Sequence, residues 1–250
     1  MEPADTGIRL LRPEMSLFNS AIFFKNLLSW DYFVAALTTL WISIASLFLG
    51  LLVGLALAVA RDSRITVLGA IAKAYLWLFR GTPVLLQIVF AFYVLPSFGI
   101  VLSRFACAVL ALGLNEGAYV AEIIRAGLRG VGEDQREAAR ALGLKPWHVM
   151  RLVVLPQAFR IIIPPIGNQF ISMLKLTALV EVIGVQELLL VASQAASSNF
   201  RYLEALSAAG VYYLLLTTVF MAVQARIEQA LGSDGVADRV KPFNRLSEQA

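Results

Sequence analysis

From Tyr32 to Ala60 the chain runs 29 residues without one charged side chain. A helix rises about 1.5 Å per residue, so this run outreaches the roughly 30 Å hydrocarbon core of a bilayer. In lipid a helix suits such a segment because it satisfies its own backbone hydrogen bonds. Composition agrees. Hydrophobic residues make up 59% of the chain and charged ones 15%, with mean hydropathy +0.74. Soluble domains average roughly 45–50% apolar and about 25% charged. Disorder and a water-soluble enzyme domain are thereby excluded. So is a disulfide scaffold, since Cys107 is the only cysteine. Its place in the apolar run Phe105–Leu112 marks it as buried filler.

Four further blocks read as spans: Val84–Val101, with Pro96 and Gly99 near its end; Phe105–Gly127, broken by Asn115, Glu116, Glu122 and Arg125; Ile161–Val185, carrying Lys175 and Glu181; and Ser207–Ile227. Ile65–Phe79 has only 15 residues and contains Lys73, too short to span upright. It is expected at the interface or beneath the bundle, with Arg80 tethering it to lipid headgroups or to the loop. A sixth span here is the alternative topology. The fold class is thus an all-α integral membrane protein with five transmembrane helices. The spans fall at 32–60, 84–101, 105–127, 161–185 and 207–227.

With five spans the connections alternate between two sides. Fifteen Lys and Arg fall on one side, in Arg61–Arg80, Arg125–Arg160 and Arg226–Arg245, against five on the other. This bias predicts an amino terminus outside and a carboxyl terminus in the cytoplasm. The pI near 9.4 is then an insertion signal, and no nucleic-acid partner is expected. Residues 1–31 form an extracytoplasmic segment. Glu2, Asp5 and Glu14 interleave with bases there, unlike a cleaved signal, and Ser16–Trp30 is amphipathic enough to lie on the interface. Residues 231–250 are a polar tail expected in the cytoplasm. Ser46, Gly50, Gly54 and Ala58 recur every four residues. They offer a stripe for close helix approach, within this chain or against another subunit.

The connection at 129–156 reads RGVGEDQREAARALGLKPWHVMRLVVLP. Glu133 and Asp134 suit the first turn of a helix, and Gly143 suits its left-handed end. Pro146 suits the start of a second helix, Pro146–Leu155, closed by Pro156. The pattern predicts helix, glycine corner, helix: a knob of mixed charged and apolar surface suited to docking another protein. His148 is the only histidine and sits in that knob, so neither a metal cluster nor a catalytic triad can be assembled. No catalytic residues are expected.

Glu137-Ala138-Ala139, then three residues, Gly143, then nine residues, Val153, one residue and Leu155-Pro156 resembles the "EAA" loop of ABC importer permeases, which usually have isoleucine in place of Val153. Arg80-Gly81-Thr82-Pro83 and Ala118–Arg125 resemble signatures of the polar amino acid (histidine/glutamine-type) permeases. Leu174-Lys175-Leu176-Thr177-Ala178-Leu179 resembles that family's leucine-lysine-aspartate-threonine-serine-leucine run, departing at Leu176 and Ala178. The resemblance covers residues 32–230. It implies a type I ABC importer permease fold in a bacterial inner membrane, paired as a homo- or heterodimer with a second permease subunit. It also implies two ABC ATPase subunits, which bind the ATP and Mg, and an extracytoplasmic solute-binding protein. The loop would be the coupling helix seated on the ATPase through Glu137, Ala138, Ala139, Gly143, Leu155 and Pro156. The chain has no GxxxxGK(S/T) phosphate loop, and no cofactor is expected in it.

Charges near mid-membrane are costly, on the order of 3 kcal/mol each, and must pair or meet water. Glu116 and Lys175 fall at similar depth. Either they form an ion pair that lets two helices insert, or they line a substrate path, with Lys175 holding a carboxylate and Glu116 or Glu181 an ammonium. Asn168, Ser172 and Lys175 share one helical stripe and join that path. Glu122 and Arg125, one turn apart, are expected to pair locally. The leading expectation is an ATP-driven importer subunit for polar amino acids, moving solute by alternating access. The alternative is an ion- or proton-coupled secondary transporter. Such folds ordinarily carry a second related half, which is absent here.

Overall fold

The computed structural model describes residues 18–232. The expectations for residues 1–17, including the start of the amphipathic Ser16–Trp30 stretch, and for 233–250 of the polar tail lie outside the described residues. Among the described residues the elements are helices α1 (Ser20–Leu27), α2 (Trp30–Arg61), α3 (Thr66–Gly81), α4 (Val84–Tyr93), α5 (Arg104–Gly130), α6 (Glu133–Ala141), α7 (Pro146–Val149), α8 (Leu155–Leu176), α9 (Leu188–Asn199) and α10 (Tyr202–Ala230). Four helical stretches are long and apolar enough to cross a membrane, or five if the bent pair α3–α4 counts as one span. Among the described residues no helix is left for a sixth.

Helix α2 starts where the Ser29 side chain accepts from the Tyr32 N–H, satisfying a donor that the first turn leaves unpaired. Ser103 does the same for α5 through Ala106. These two helices form the centre of the fold. Gly50 and Gly54 of α2 meet Glu116 and Val120, while Gly113 and Gly117 of α5 receive Leu49 and Val53. A Cβ on any of the four would lie within 3 Å of a neighbouring side chain. The stripe Ser46, Gly50, Gly54 and Ala58 is buried within this chain, as the intramolecular alternative has it. The knobs-and-notches contact brings the two backbones close enough for dispersion and packing to hold them in lipid, where no hydrophobic force does so.

The second span is bent rather than straight. Helices α3 and α4 meet at 102°, and α4 stops at Tyr93 instead of running to Val101. Pro83 has no N–H and forces Thr82 into extended geometry (φ −117°, ψ 146°), which ends α3 there. The freed carbonyls are not left bare. The Gln87 side-chain amide donates to the Phe79 carbonyl at 3.0 Å, the Thr82 carbonyl at 3.2 Å and Thr82 Oγ1 at 2.9 Å. Asn115 of α5 donates to the Phe79 carbonyl at 3.0 Å and to Gln87 Oε1 at 3.1 Å. The bend is therefore locked and bolted to the central helix. Beyond α4, a 3-10 turn at Leu95–Phe98 ends at left-handed Gly99.

At the opposite end of the central pair from Arg61, α2, α1 and α9 fasten to α10 through tyrosine hydroxyls. Tyr32 donates to the Ala205 carbonyl at 3.1 Å and Tyr212 to the Leu27 carbonyl at 2.8 Å. Fully buried Glu187 caps α9 through Leu189 and Leu190 and accepts from Tyr213 at 2.8 Å. Along α8, Pro164 and Pro165 sit inside the helix. Gln224 of α10 donates to the Pro164 carbonyl at 3.2 Å and to Asn168 Oδ1 at 3.2 Å.

Candidate functional site: the loop knob and the polar hollow

The connection expected to form a knob does so. Helix α6 ends in paired bonds, Leu144 N–H to the Ala139 carbonyl at 3.2 Å and Gly143 N–H to the Arg140 carbonyl at 2.9 Å. This double closure needs a left-handed residue at its pivot, and Gly143 supplies it with φ +80°. Inside the corner, Ala139, Val149 and Val154 are buried with Val131, Ala158 and Ile162. Outside it, Glu137 and Ala138 are exposed, as are Leu142 (82%) and Trp147 (65%). Arg136 donates to the Leu128 carbonyl, tying the knob to the end of α5, and Arg140 pairs with Glu133 at 3.2 Å. Leu155 is half-buried and Pro156 exposed. His148 is exposed as well.

Pro156 does not close the second helix. The turn at Met150–Val154 is a π-helix, and α7, that turn and α8 run on together from Pro146 to Ile183. The wider i→i+5 turn accommodates a proline that cannot donate, so the knob is continuous with the fourth span.

Deeper in the bundle, a hollow of about 270 Å³ is lined by Thr82, Pro83, Asn115, Glu116, Tyr119, Gln169 and Leu176, among others. Glu116 is 3% exposed, and its Oε1 is buried without a hydrogen-bond partner. A polar atom in that state is expensive unless a ligand or water meets it. Of the five side chains expected on a path, only Glu116 faces this hollow. Lys175 is exposed, and no carboxylate among the described residues pairs with it, so the Glu116–Lys175 pair is not formed. Asn168 points to Gln224 and Glu181 to Ser193 at 3.4 Å, while Ser172 is half-buried. Gln169, one residue round the helix from Asn168, lines the hollow instead. Asn115 beside Glu116 was the signal that could have located it.

Near the knob end of α5, ionic contacts join three helices. Arg61 pairs with Glu122, Arg125 with Asp62 at 3.1 Å and with Glu122 at 3.5 Å, and Arg80 approaches Glu122 at 3.8 Å. The local Glu122–Arg125 pair is present, within this larger network. No group of acids, cysteines and histidine suited to a metal ion occurs among the described residues.

Residues 49–233 match the family model described as "Binding-protein-dependent transport system inner membrane component". The arginine transport system permease protein ArgU of Corynebacterium glutamicum is 41% identical over 209 residues, covering 78% of this chain and 66% of that protein. The glutamine transport system permease protein GlnP of Escherichia coli K12 is 39% identical over 195 residues, covering 77% and 89%. Among solved structures, an amino acid ABC transporter with histidines superposes at TM-score 0.78, with 36% identity over 84% of this chain and 97% of that one. The MetNI methionine ABC transporter, in inward-facing conformations, shares the fold at TM-score 0.66 and 21% identity, over 81% and 96%. The chain therefore belongs to the inner membrane components of binding-protein-dependent transport systems, the multi-pass permease subunits of ABC importers.

Proposed function

We propose that this permease translocates polar amino acids by alternating access, powered by a separate ATPase. The observation that carries the reading is the left-handed corner at Gly143: exposed Glu137, Ala138 and Leu142 stand on α6 and its cap before it, and exposed Trp147 stands after it on a helix continuous with the fourth span. Such a corner can receive a mechanical stroke and transmit it. ABC ATPase subunits, holding ATP and Mg, dock there; Ala139 and Gly143 set the corner's shape, and Leu155 and Pro156 its root. An extracytoplasmic binding protein delivers solute to the opposite end. A second permease subunit, a copy or a relative, completes the path. The amino terminus lies outside and the carboxyl terminus in the cytoplasm, in keeping with the Lys and Arg bias.

The names of ArgU and GlnP support an amino acid as cargo. Glu116 is the group to receive its ammonium, being an acid with a spare acceptor facing a hollow of about 270 Å³. Lys175, Ser172, Asn168 and Glu181 belong to other stretches of the same path, Lys175 offering an unpaired cation to a carboxylate. Leu176, where the family run has aspartate, gives the hollow one apolar wall.

Uptake into proteoliposomes tests the reading. Transport of labelled arginine or glutamine should require ATP, the ATPase and the binding protein together. Accumulation by this chain alone on an ion gradient would instead establish the secondary-transporter alternative.

A further inference from the structure

A second hollow, about 460 Å³, opens beside the ionic network, apart from the knob, and shares only Tyr119 with the hollow at Glu116. One wall is a stripe of α3. Lys73, Trp77 and Arg80 stand four and three residues apart, so they share a face. The other wall is Arg61 of α2 with Tyr119 and Glu122 of α5. Three cations thus meet one carboxylate. Glu122 is engaged by Arg61, Arg80 lies 5.6 Å over the Tyr119 ring, and Lys73 is exposed with no ionic partner among the described residues. The hollow keeps a surplus of about two positive charges.

Its surroundings identify the source of the missing anion. Along α3, Val67 (65%) and Ile71 (59%) are exposed on one side and Trp77 (78%) beside the hollow, apolar surface that lipid covers cheaply. Trp and Lys on such a face mark the headgroup level of a bilayer. Basic pockets between helices at that level suit lipid headgroup phosphates. We propose that this hollow binds the phosphate of an anionic phospholipid, of phosphatidylglycerol type, in the leaflet on the knob side. Lys73 and Arg80 contact the phosphate, Trp77 lies along the glycerol and upper chains, and Arg61 supplies background charge. Because Arg80 and Gly81 border the locked bend, an occupied site would also brace α3 against α5.

The four tryptophans allow a direct test in the full-length chain. With Trp30, Trp41 and Trp147 replaced by Phe, Trp77 is the single tryptophan, excited selectively over the tyrosines. The protein is reconstituted in phosphatidylcholine vesicles carrying a minor fraction of brominated phosphatidylglycerol or brominated phosphatidylcholine, and quenching is titrated. The anionic quencher should act at a roughly fivefold or greater lower fraction, following about 1 kcal/mol per cation near the surface. Lys73→Gln, which has no ion pair to lose, should reduce that preference about fivefold, and Lys73→Gln with Arg80→Gln should abolish it. Lys145→Gln, on the knob, should leave it intact. Equal quenching by the two lipids, or a preference that survives the double substitution, overturns the proposal. Relief of quenching by millimolar inorganic phosphate also overturns it, assigning the hollow to a free anion.

Discussion

A methyl group placed on Gly50 would sit 2.8 Å from Cγ of Glu116. The acid facing the hollow is thus seated against a notch in the neighbouring helix, and the notch exists only because residue 50 has no side chain. Gly50→Ala should force α2 and α5 apart or rotate the carboxylate. Overpacking of this kind costs typically 1–3 kcal/mol. The expected result is a lower thermal midpoint of the solubilised complex together with a several-fold loss of uptake; an unchanged midpoint and rate would show that the close approach is dispensable.

Glu116→Gln keeps the shape and removes the charge. Because Glu116 forms no ion pair with Lys175, the substitution should leave membrane insertion and assembly intact while reducing uptake by about tenfold or more, the loss of one charge-assisted contact. Lys175→Met should likewise assemble normally. Failure of either variant to fold would restore a purely structural role for the charge.

At Gly143 the constraint is conformational. The residue has φ +80° and no neighbour near its Cβ position, so a side chain has room but the backbone resists, by roughly 1–2 kcal/mol for most residues. Gly143→Val should detach the ATPase from the knob without removing the protein from the membrane. Gly143→Asn, which tolerates left-handed geometry, should retain most coupling. Co-purification and transport-linked ATP hydrolysis read the difference.

Gln87 makes three donations across the α3–α4 bend. Gln87→Leu fits the apolar helix but strands the Thr82 carbonyl and leaves the Phe79 carbonyl to Asn115 alone, at about 1–3 kcal/mol for a buried unsatisfied group. Faster amide exchange around residues 79–87, with uptake reduced, is the expected signature.

Glu187 provides a pH dependence. Burial pushes its carboxyl up to about 7 from 4.5, despite stabilising bonds from Leu189, Leu190 and Tyr213 and with Glu181 adding repulsion. A folded value above the unfolded one means the group favours the fold fully below about pH 4.5, and that contribution is lost as pH rises through 7. The full swing is on the order of 3 kcal/mol at 1.36 kcal/mol per pKa unit. Exchange of α9 amides, corrected for intrinsic rate, should accelerate between about pH 4.5 and 7, and Glu187→Gln should flatten that profile.

The sequence alone determined the long apolar helices and the knob, because both depend on local order. An uncharged run must be helical in lipid wherever it packs, and a Gly after a helix-forming segment takes the left-handed pivot through bonds within six residues, Ala139 to Leu144. What only the tertiary structure decided is direction and partnership. Gln169 rather than Asn168 faces the hollow because α8 is rotated by its contacts with Gln224. Pro156 passes through a helix because a π turn precedes it. Glu116 stays unpaired because Gly50 admits it between two helices, while Lys175 lies exposed. A helix's azimuth, and hence the face each polar residue presents, is set by the surfaces that meet it, and those surfaces come from segments tens of residues apart in the chain.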